Sequence, residues 1–482
     1  MQFEFFCCRH LKRVHEVVYS QYQEHVNTML PSPGQSLMSS FVTSSDNKYG
    51  HSNPRQKSLT NSLVSNLIVK CGLPISLVDN PDFCSFLHDI DPRYQTPCRQ
   101  TVTYTLLPQL LGYKQTKLHD ILECFTDLSL TADIWTDRRS HAYLGVTVHG
   151  FNGDSGIAVS HLLAFRCFSG SHTGEKIAES LDNVITECCI GSKIRSVVTD
   201  NASNMKKALT VLLDDSIAEV DDPLLWEDDV DTDIAAAITY TDCQHIGCFA
   251  HSLQLVVHDG LGSLNVARLV LSKCCKLANI VHQSALFRSS YEKVLGSGKI
   301  IPSSNETRWN STFRQLQCIV DIDAVKLNAL LRDTNHENLI LSGKDLNMLQ
   351  EVVKVLLPFA EATDLTQGDK TVTISCVLPI VLSVNKLLES FLLKSTILTS
   401  FINALLQSLR QRFSGLFALI GMHFHTGSST SRAHTFNSNL FLMAAAVHPA
   451  FSYQWLNDHP GSAEEKESVR SKINGMQNQQ HC

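Results

Sequence analysis

The spacing of apolar residues changes along the chain, and each change predicts a different kind of element. From residue 58 to 125 it is helical: Leu63, Leu67 and Ile68 share a face, and "VDNPDF" and "DIDPRYQTP" punctuate the turns. From residue 128 the period falls to two. "LSLTADIWTD" sets Leu128, Leu130, Ala132 and Ile134 on one face and Thr131, Asp133 and Trp135 on the other, as a strand does. "AYLGVTVHGF" and "IAVSHLLAFRCF" read as two more strands, separated by the turn "NGDSG". "TGEKIAESLDNVITECCI" returns to helical spacing through Ile177, Leu181, Val184, Ile185 and Cys188, and "IRSVVTDN" is a fourth strand. From about 262 to 430 the pattern is helical again. There Leu346, Leu349, Val353, Leu356 and Ala360 form one stripe, interrupted by Pro358, of the kind that fills a bundle core. Residues 30–56 are a linker rich in Ser, Pro, Gly and Asn, and residues 461–482 read as a polar, disordered tail.

Three strands, a helix and a further strand predict a mixed sheet in which the first and fourth strands lie side by side. That arrangement brings Asp133 and Asp200 together. Asp200, in "VVTDNASNM", has two readings: a cap for a helix over "MKKALTVLL", or a metal-binding acid at the carboxyl end of a parallel strand. Two carboxylates on adjacent strands repel each other unless a cation sits between them, and such pairs hold Mg²⁺ in phosphoryl-transfer sites. On spacing alone a surface pair plus a cap explains both residues equally well.

Composition narrows the class. The 482 residues have room for two to four domains, and 43% hydrophobic with 18% charged residues suits a globular chain with a real core. The net charge of −7 is local in origin. Residues 214–233, "DDSIAEVDDPLLWEDDVDTD", hold ten acids and no Lys or Arg; without them 40 basic residues face 37 acidic ones, a balance of +3. Overall acidity therefore does not argue against nucleic-acid binding elsewhere. Sixteen scattered cysteines, with no C-x2-C and no secretion signal in "MQFEFFCCRHLKRVHE", point to reduced thiols. No apolar run reads as long enough to span a bilayer.

The ordered series "LTADIWTD", "YLGVTVHGF", "VVTDNASNM", "CFAHSLQLVVHDGL" and "NETRWNST" resembles that of hAT-superfamily DNA transposases and the host proteins derived from them. The resemblance is strongest to zinc finger BED domain-containing proteins and covers residues 7–455. It implies an RNase H-like domain interrupted by a large helical insertion, with the family's first two catalytic acids at Asp133 and Asp200. Cys243, His245, Cys248 and His251 have a spacing that could suggest zinc, but Cys248 and His251 match the family's C-x2-H motif at the RNase H-like core, so a packed core pair is expected. In "TRWNS" an exposed Trp309 would stack on an unpaired base and Arg308 would hold a phosphate, whereas a Trp under a helix start is buried. The family's equivalent Trp works beside the active site on distorted DNA ends, so the functional role is expected.

"RHLKRVHEVVYSQY" resembles the closing half of a BED finger. His10 and His15 give H-x4-H, the second zinc-ligand pair, but only nine residues precede His10, and Cys7 and Cys8 lie too close to it to supply the first pair. Lys12 and Arg13 would be phosphate contacts in an intact finger. The family's third acid, a Glu, lies in a carboxyl-terminal block that is also the dimerisation surface. "NLFLMAAAVHPAFSYQWL" resembles the segment leading to that block, while Glu464, Glu465 and Glu467 lack its surrounding pattern.

The expected fold is α/β: an RNase H-like core interrupted by a large all-α insertion and preceded by a small helical region and a partial BED zinc finger. The expected divisions are half a finger (1–19), a linker (20–57), a helical DNA-binding region (58–125), the first part of the RNase H-like core (126–261), the helical insertion (262–430), a return toward the core (431–460) and a polar tail (461–482). The expected function is that of a domesticated, catalytically inactive transposase-like nuclear protein that binds DNA and regulates transcription. The alternatives are a fragment of an active transposase and an interaction scaffold that does not touch DNA. Zinc is expected only where the finger is complete, and Mg²⁺ belongs to the ancestral enzyme. DNA is the expected partner; self-association is weakened by the missing dimerisation block, and no membrane is involved.

Overall fold

The computed structural model describes residues 48–151, 156–168, 173–200, 203–213, 243–296, 298, 300–303, 309–368, 372–424 and 436–479. The chain divides into two compact units, Met1–Lys117 and Leu118–Cys482.

The first unit is helical around a small core of Leu63, Val64, Ile68, Val78, Phe83, Tyr94 and Val102. Its turn residues act as the sequence predicts. Asn80 accepts a hydrogen bond from Phe83 N–H at 3.0 Å and caps the helix Pro81–Ile90, with Pro81 in the first turn, where its missing N–H costs nothing.

The second unit begins within the helix Leu107–Glu123, whose Leu122 is buried in the core of a sheet together with Phe125. The sheet has five strands, β1 (Leu128–Thr136), β2 (Ala142–Phe151), β3 (Ala158–Phe168), β4 (Ile194–Thr199) and β5 (Gln244–Gly247), in the order β3-β2-β1-β4-β5. β1 is antiparallel to β2 and parallel to β4, so the expected pairing of first and fourth strands is observed. The fifth strand, "QHIG", is parallel to β4 and lies outside the expected set of four, because four residues are too few to show a period. One face of the sheet buries Leu128, Leu130, Ala132, Leu144, Val146 and Val148 against helices α1 (Gly174–Glu187) and α2 (Ser203–Leu213). α1 turns Ile177, Leu181, Val184 and Ile185 inward, the stripe its spacing predicts.

A second, larger core belongs to the helices α3 (Phe249–Ser263), α4 (Arg268–Gln283), α5 (Ala285–Leu295), α6 (Trp309–Val320), α7 (Ala324–Asp333), α8 (Gly343–Thr366), α9 (Ile374–Lys394), α10 (Thr399–Arg412) and α11 (Ser414–Leu419). α3 and α10 pack closely because Gly260 has no side chain: a Cβ there would stand 2.4 Å from Leu405 Cδ2. Beside this contact Asp259 accepts hydrogen bonds from Ser408 Oγ at 2.6 Å and Arg412 at 2.8 Å. Burial works against the charge on Asp259, but these partners outweigh it and hold its pKa below the ordinary carboxylate value. α8 runs through Pro358 without ending, with Leu349, Leu356 and Ala360 buried.

Two expectations are corrected. Helix α9 is long and apolar enough to cross a membrane by length and composition, contrary to the reading that no such run exists. It nevertheless buries Val377, Leu378, Val381, Leu382 and Leu388 among the other helices. Residues 463–479 are not a disordered tail. The chain continues through helix α12 (Asn439–Val447) and the short 3-10 turn Gln454–Asp458 into a helix, α13 (Ala463–Gln479), that buries Val469 and Ile473. Glu465 N–H donates to Ser462 Oγ at 3.2 Å and Ser462 N–H to Glu465 Oε2 at 2.6 Å, a reciprocal cap already present in "SAEE". Glu465 is thus a helix cap, and Glu467 pairs with Arg470 at 2.9 Å.

Candidate functional site

The two acids singled out in the sequence stand at the carboxyl ends of adjacent parallel strands. β1 and β4 pair Leu130 with Val197 and Thr131 with Val198, so continuing the register two residues sets Asp133 beside Asp200. β4 and β5 pair Val198 with Ile246, and the same step brings Cys248 alongside Asp200. The backbone ties the row together, since Cys248 N–H donates to Thr199 O at 2.7 Å. Residues two apart in a strand share a face, so all three positions fall on the side of the sheet opposite Leu130, Ala132 and Val197.

Electrostatics agree with this placement. Burial pushes the Cys248 thiol up, and the negative charges of Asp133 and Asp200 add to the effect; the N–H groups of His251 and Ala250, in the first turn of α3, pull the other way. The thiol therefore stays protonated at neutral pH. Cys248 occupies the cap position of α3, and His251 is half-buried in that helix's first turn. Cys248 is thus not simply a core residue, because it borders both acids.

Mg²⁺ prefers oxygen ligands in an octahedral shell that keeps several waters. Exposed Asp133 and half-buried Asp200 offer two such ligands at one edge. A protonated thiol is a poor third ligand for a hard cation. Among the described residues no group of three or more His, Cys, Asp or Glu is arranged to hold a metal ion. The residues thus fit one side of a Mg²⁺ site. The zinc alternative fails on direction. His245 is paired with buried Val197 and contacts Thr199 Oγ1 at 3.0 Å, so it and Cys243 face away from Cys248.

Trp309 is where the expectation of an exposed stacking residue is corrected. It opens α6 with 7% of its surface exposed and meets Phe313, one turn on, edge-to-face at 6.1 Å. Phe313, Leu316 and Ile319 continue the buried stripe, so Trp309 is held in the helical core. His10, Lys12, Arg13, His15 and Arg308 lie outside the described residues. In the first unit Arg93 pairs with Asp91 at 3.8 Å and lies 4.7 Å over the Tyr49 ring, while Arg99 is exposed at a helix start.

Two family models match the second unit: the ZBED1 RNase-like domain over residues 131–221 and the ZBED1 RNase-like helical domain over residues 246–355. They meet the sheet and the helical region respectively. Among curated proteins the chain is 22% identical over 298 residues to "Putative AC transposase" of Zea mays, covering 61% of this chain and 35% of that protein. It is 23% identical over 433 residues to zinc finger BED domain-containing protein 4 of Homo sapiens, covering 84% and 34%. It is 25% identical over 338 residues to "Putative transcriptional regulator tpeD" of Talaromyces stipitatus, covering 64% and 38%. The chain thus spans only 34–38% of the length of these relatives. The α/β sheet, the large helical region that comes after it and these matches together relate the chain, at the level of family, to the hAT transposases and the BED-domain proteins.

Proposed function

We propose that this chain is a domesticated relative of hAT transposases, a nuclear DNA-binding protein that regulates transcription and does not itself cut DNA. The observation that carries the reading is the pair Asp133 and Asp200, set side by side by the register of β1 and β4. Both positions keep an acid, and among the described residues no third His, Cys, Asp or Glu joins them in an arrangement that could hold a metal ion. Two-metal phosphoryl transfer needs enough oxygen ligands to clamp the attacking and leaving oxygens, and two carboxylates alone hold the metals weakly. The relatives named for a BED zinc finger or as a transcriptional regulator support the regulatory part of the reading.

In this reading residues 1–19 contribute His10 and His15 to a zinc finger completed by further ligands, with Lys12 and Arg13 on phosphates. Residues 58–125 supply Arg93 and Arg99, and Arg308 adds a further phosphate contact. Such contacts are ionic, so affinity falls steeply with salt.

The purified chain is expected to bind duplex DNA in a salt-dependent manner and to leave supercoiled plasmid intact with Mg²⁺ or Mn²⁺. Metal-dependent nicking that disappears in Asp200→Ala would overturn the inactive reading. It would instead support a fragment of an active transposase, which the retention of both acids favours.

A further inference from the structure

The face of the sheet that carries Asp133 is open on its β1–β3 side and bears three rings in mutual contact. Trp135 lies 6.2 Å from Tyr143 and 5.6 Å from Phe165, and Tyr143 stacks on Phe165 at 5.3 Å and 16°. Trp135 is 40% and Phe165 58% exposed. Gly145, the β2 partner of Asp133, makes the arrangement possible: a Cβ there would come within 2.8 Å of the Trp135 ring. The indole therefore rests against the sheet backbone where any other residue would displace it.

The hairpin leading from Trp135 to Tyr143 is tied down by its own acid. Asp137 accepts from Arg139 N–H at 2.8 Å and His141 N–H at 2.9 Å, and Ser140 closes the turn with a φ of 63°. The carboxylate of Asp137 is thus engaged with backbone donors, which hold its pKa below the ordinary value. Arg138 and Arg139 remain exposed on the hairpin, with no ion pair among the described residues. Partly exposed rings in mutual contact, beside a hairpin that carries two exposed arginines, are complementary to unpaired bases and their phosphates.

We propose that Trp135, Tyr143 and Phe165 form a stacking platform for unpaired nucleotides of single-stranded DNA, with Arg138 and Arg139 on the phosphates. This rests on the DNA-binding reading above and assigns to the sheet face the stacking role that buried Trp309 does not fill.

The test is fluorescence anisotropy of the whole chain with labelled single-stranded oligothymidylate and with a duplex of equal length. Trp135→Ala is expected to weaken single-strand binding about ten-fold while leaving duplex binding and the circular-dichroism spectrum unchanged. Trp135→Phe restores most of the loss, and Arg138→Ala with Arg139→Ala lowers the salt dependence of single-strand binding. Unchanged single-strand affinity in both Trp135→Ala and Phe165→Ala, with duplex binding intact, overturns the platform alone. Failure of the unaltered chain to bind either DNA overturns the DNA-binding reading as well. Dissociation of a dimer by Trp135→Ala in sedimentation also overturns the platform, by assigning the face to a second copy of the chain.

Discussion

Trp309 and Trp135 take opposite roles because their neighbours in the chain repeat with different periods. Trp309 is succeeded at helical spacing by Phe313 and Leu316, so the helix that it opens turns it inward. Trp135 alternates with Ile134 on a strand whose second face is open, so its ring stays partly in solvent. Removing a buried Trp leaves a large cavity and costs about 3–5 kcal/mol. Trp309→Ala is therefore expected to lower the melting temperature by several degrees, measured by circular dichroism, with no selective loss of single-strand binding. A variant with unchanged melting temperature that loses only single-strand binding would return the stacking role to Trp309.

At the scale of elements, the contact of α3 with α10 is set by a small residue. Gly260→Ala would place a methyl group 2.4 Å from Leu405 Cδ2, and Leu405 is fully buried and has little room to yield. Overpacking of this kind costs about 1–3 kcal/mol. Gly262 lies on the same helix with open space around it. Gly262→Ala is expected to be neutral or stabilising by up to about 1 kcal/mol, because alanine is the better helix former. Urea unfolding of the two variants measures the difference; equal stabilities would mean that the two helices separate at no cost. The same scale explains α13. Its cap "SAEE" and the spacing of Val469 and Ile473 are both visible in a stretch whose overall polarity suggests disorder. Two buried positions one turn apart are enough to dock a helix onto an existing core, whatever its other faces carry.

For the molecule as a whole, charge is distributed unevenly. Residues 214–233 hold ten of the 47 acids, and the remaining sequence has a small positive balance. A concentrated acidic segment opposes the approach of DNA over distances up to the screening length, about 8–10 Å at moderate ionic strength. Deleting residues 214–233 is expected to tighten duplex binding at low salt and to change it little at high salt. Titrations at two ionic strengths check this, and equal effects at both would show that the segment acts by contact rather than by charge.

The sequence by itself determined what depends on near neighbours. The alternation in "LSLTADIWTD" made β1 a strand with Leu128, Leu130 and Ala132 inward and Asp133 outward, and the helical spacing in α1 chose its buried face. The motifs also singled out Asp133 and Asp200 and pointed to the family relation. Only the tertiary structure decided what depends on residues far apart in the chain. β5 has four residues and no legible period; it exists because β4 offers it an edge, and through it Cys248 reaches the two acids. The cover over the apolar face of α6 that carries Trp309, and the packing of the apolar helix α9, likewise come from helices distant in sequence. The ring contacts of Trp135, Tyr143 and Phe165 required the antiparallel register that sets Gly145 opposite Asp133. Periodicity encodes which face of an element is apolar, but which surface covers that face is set by the packing of the whole chain.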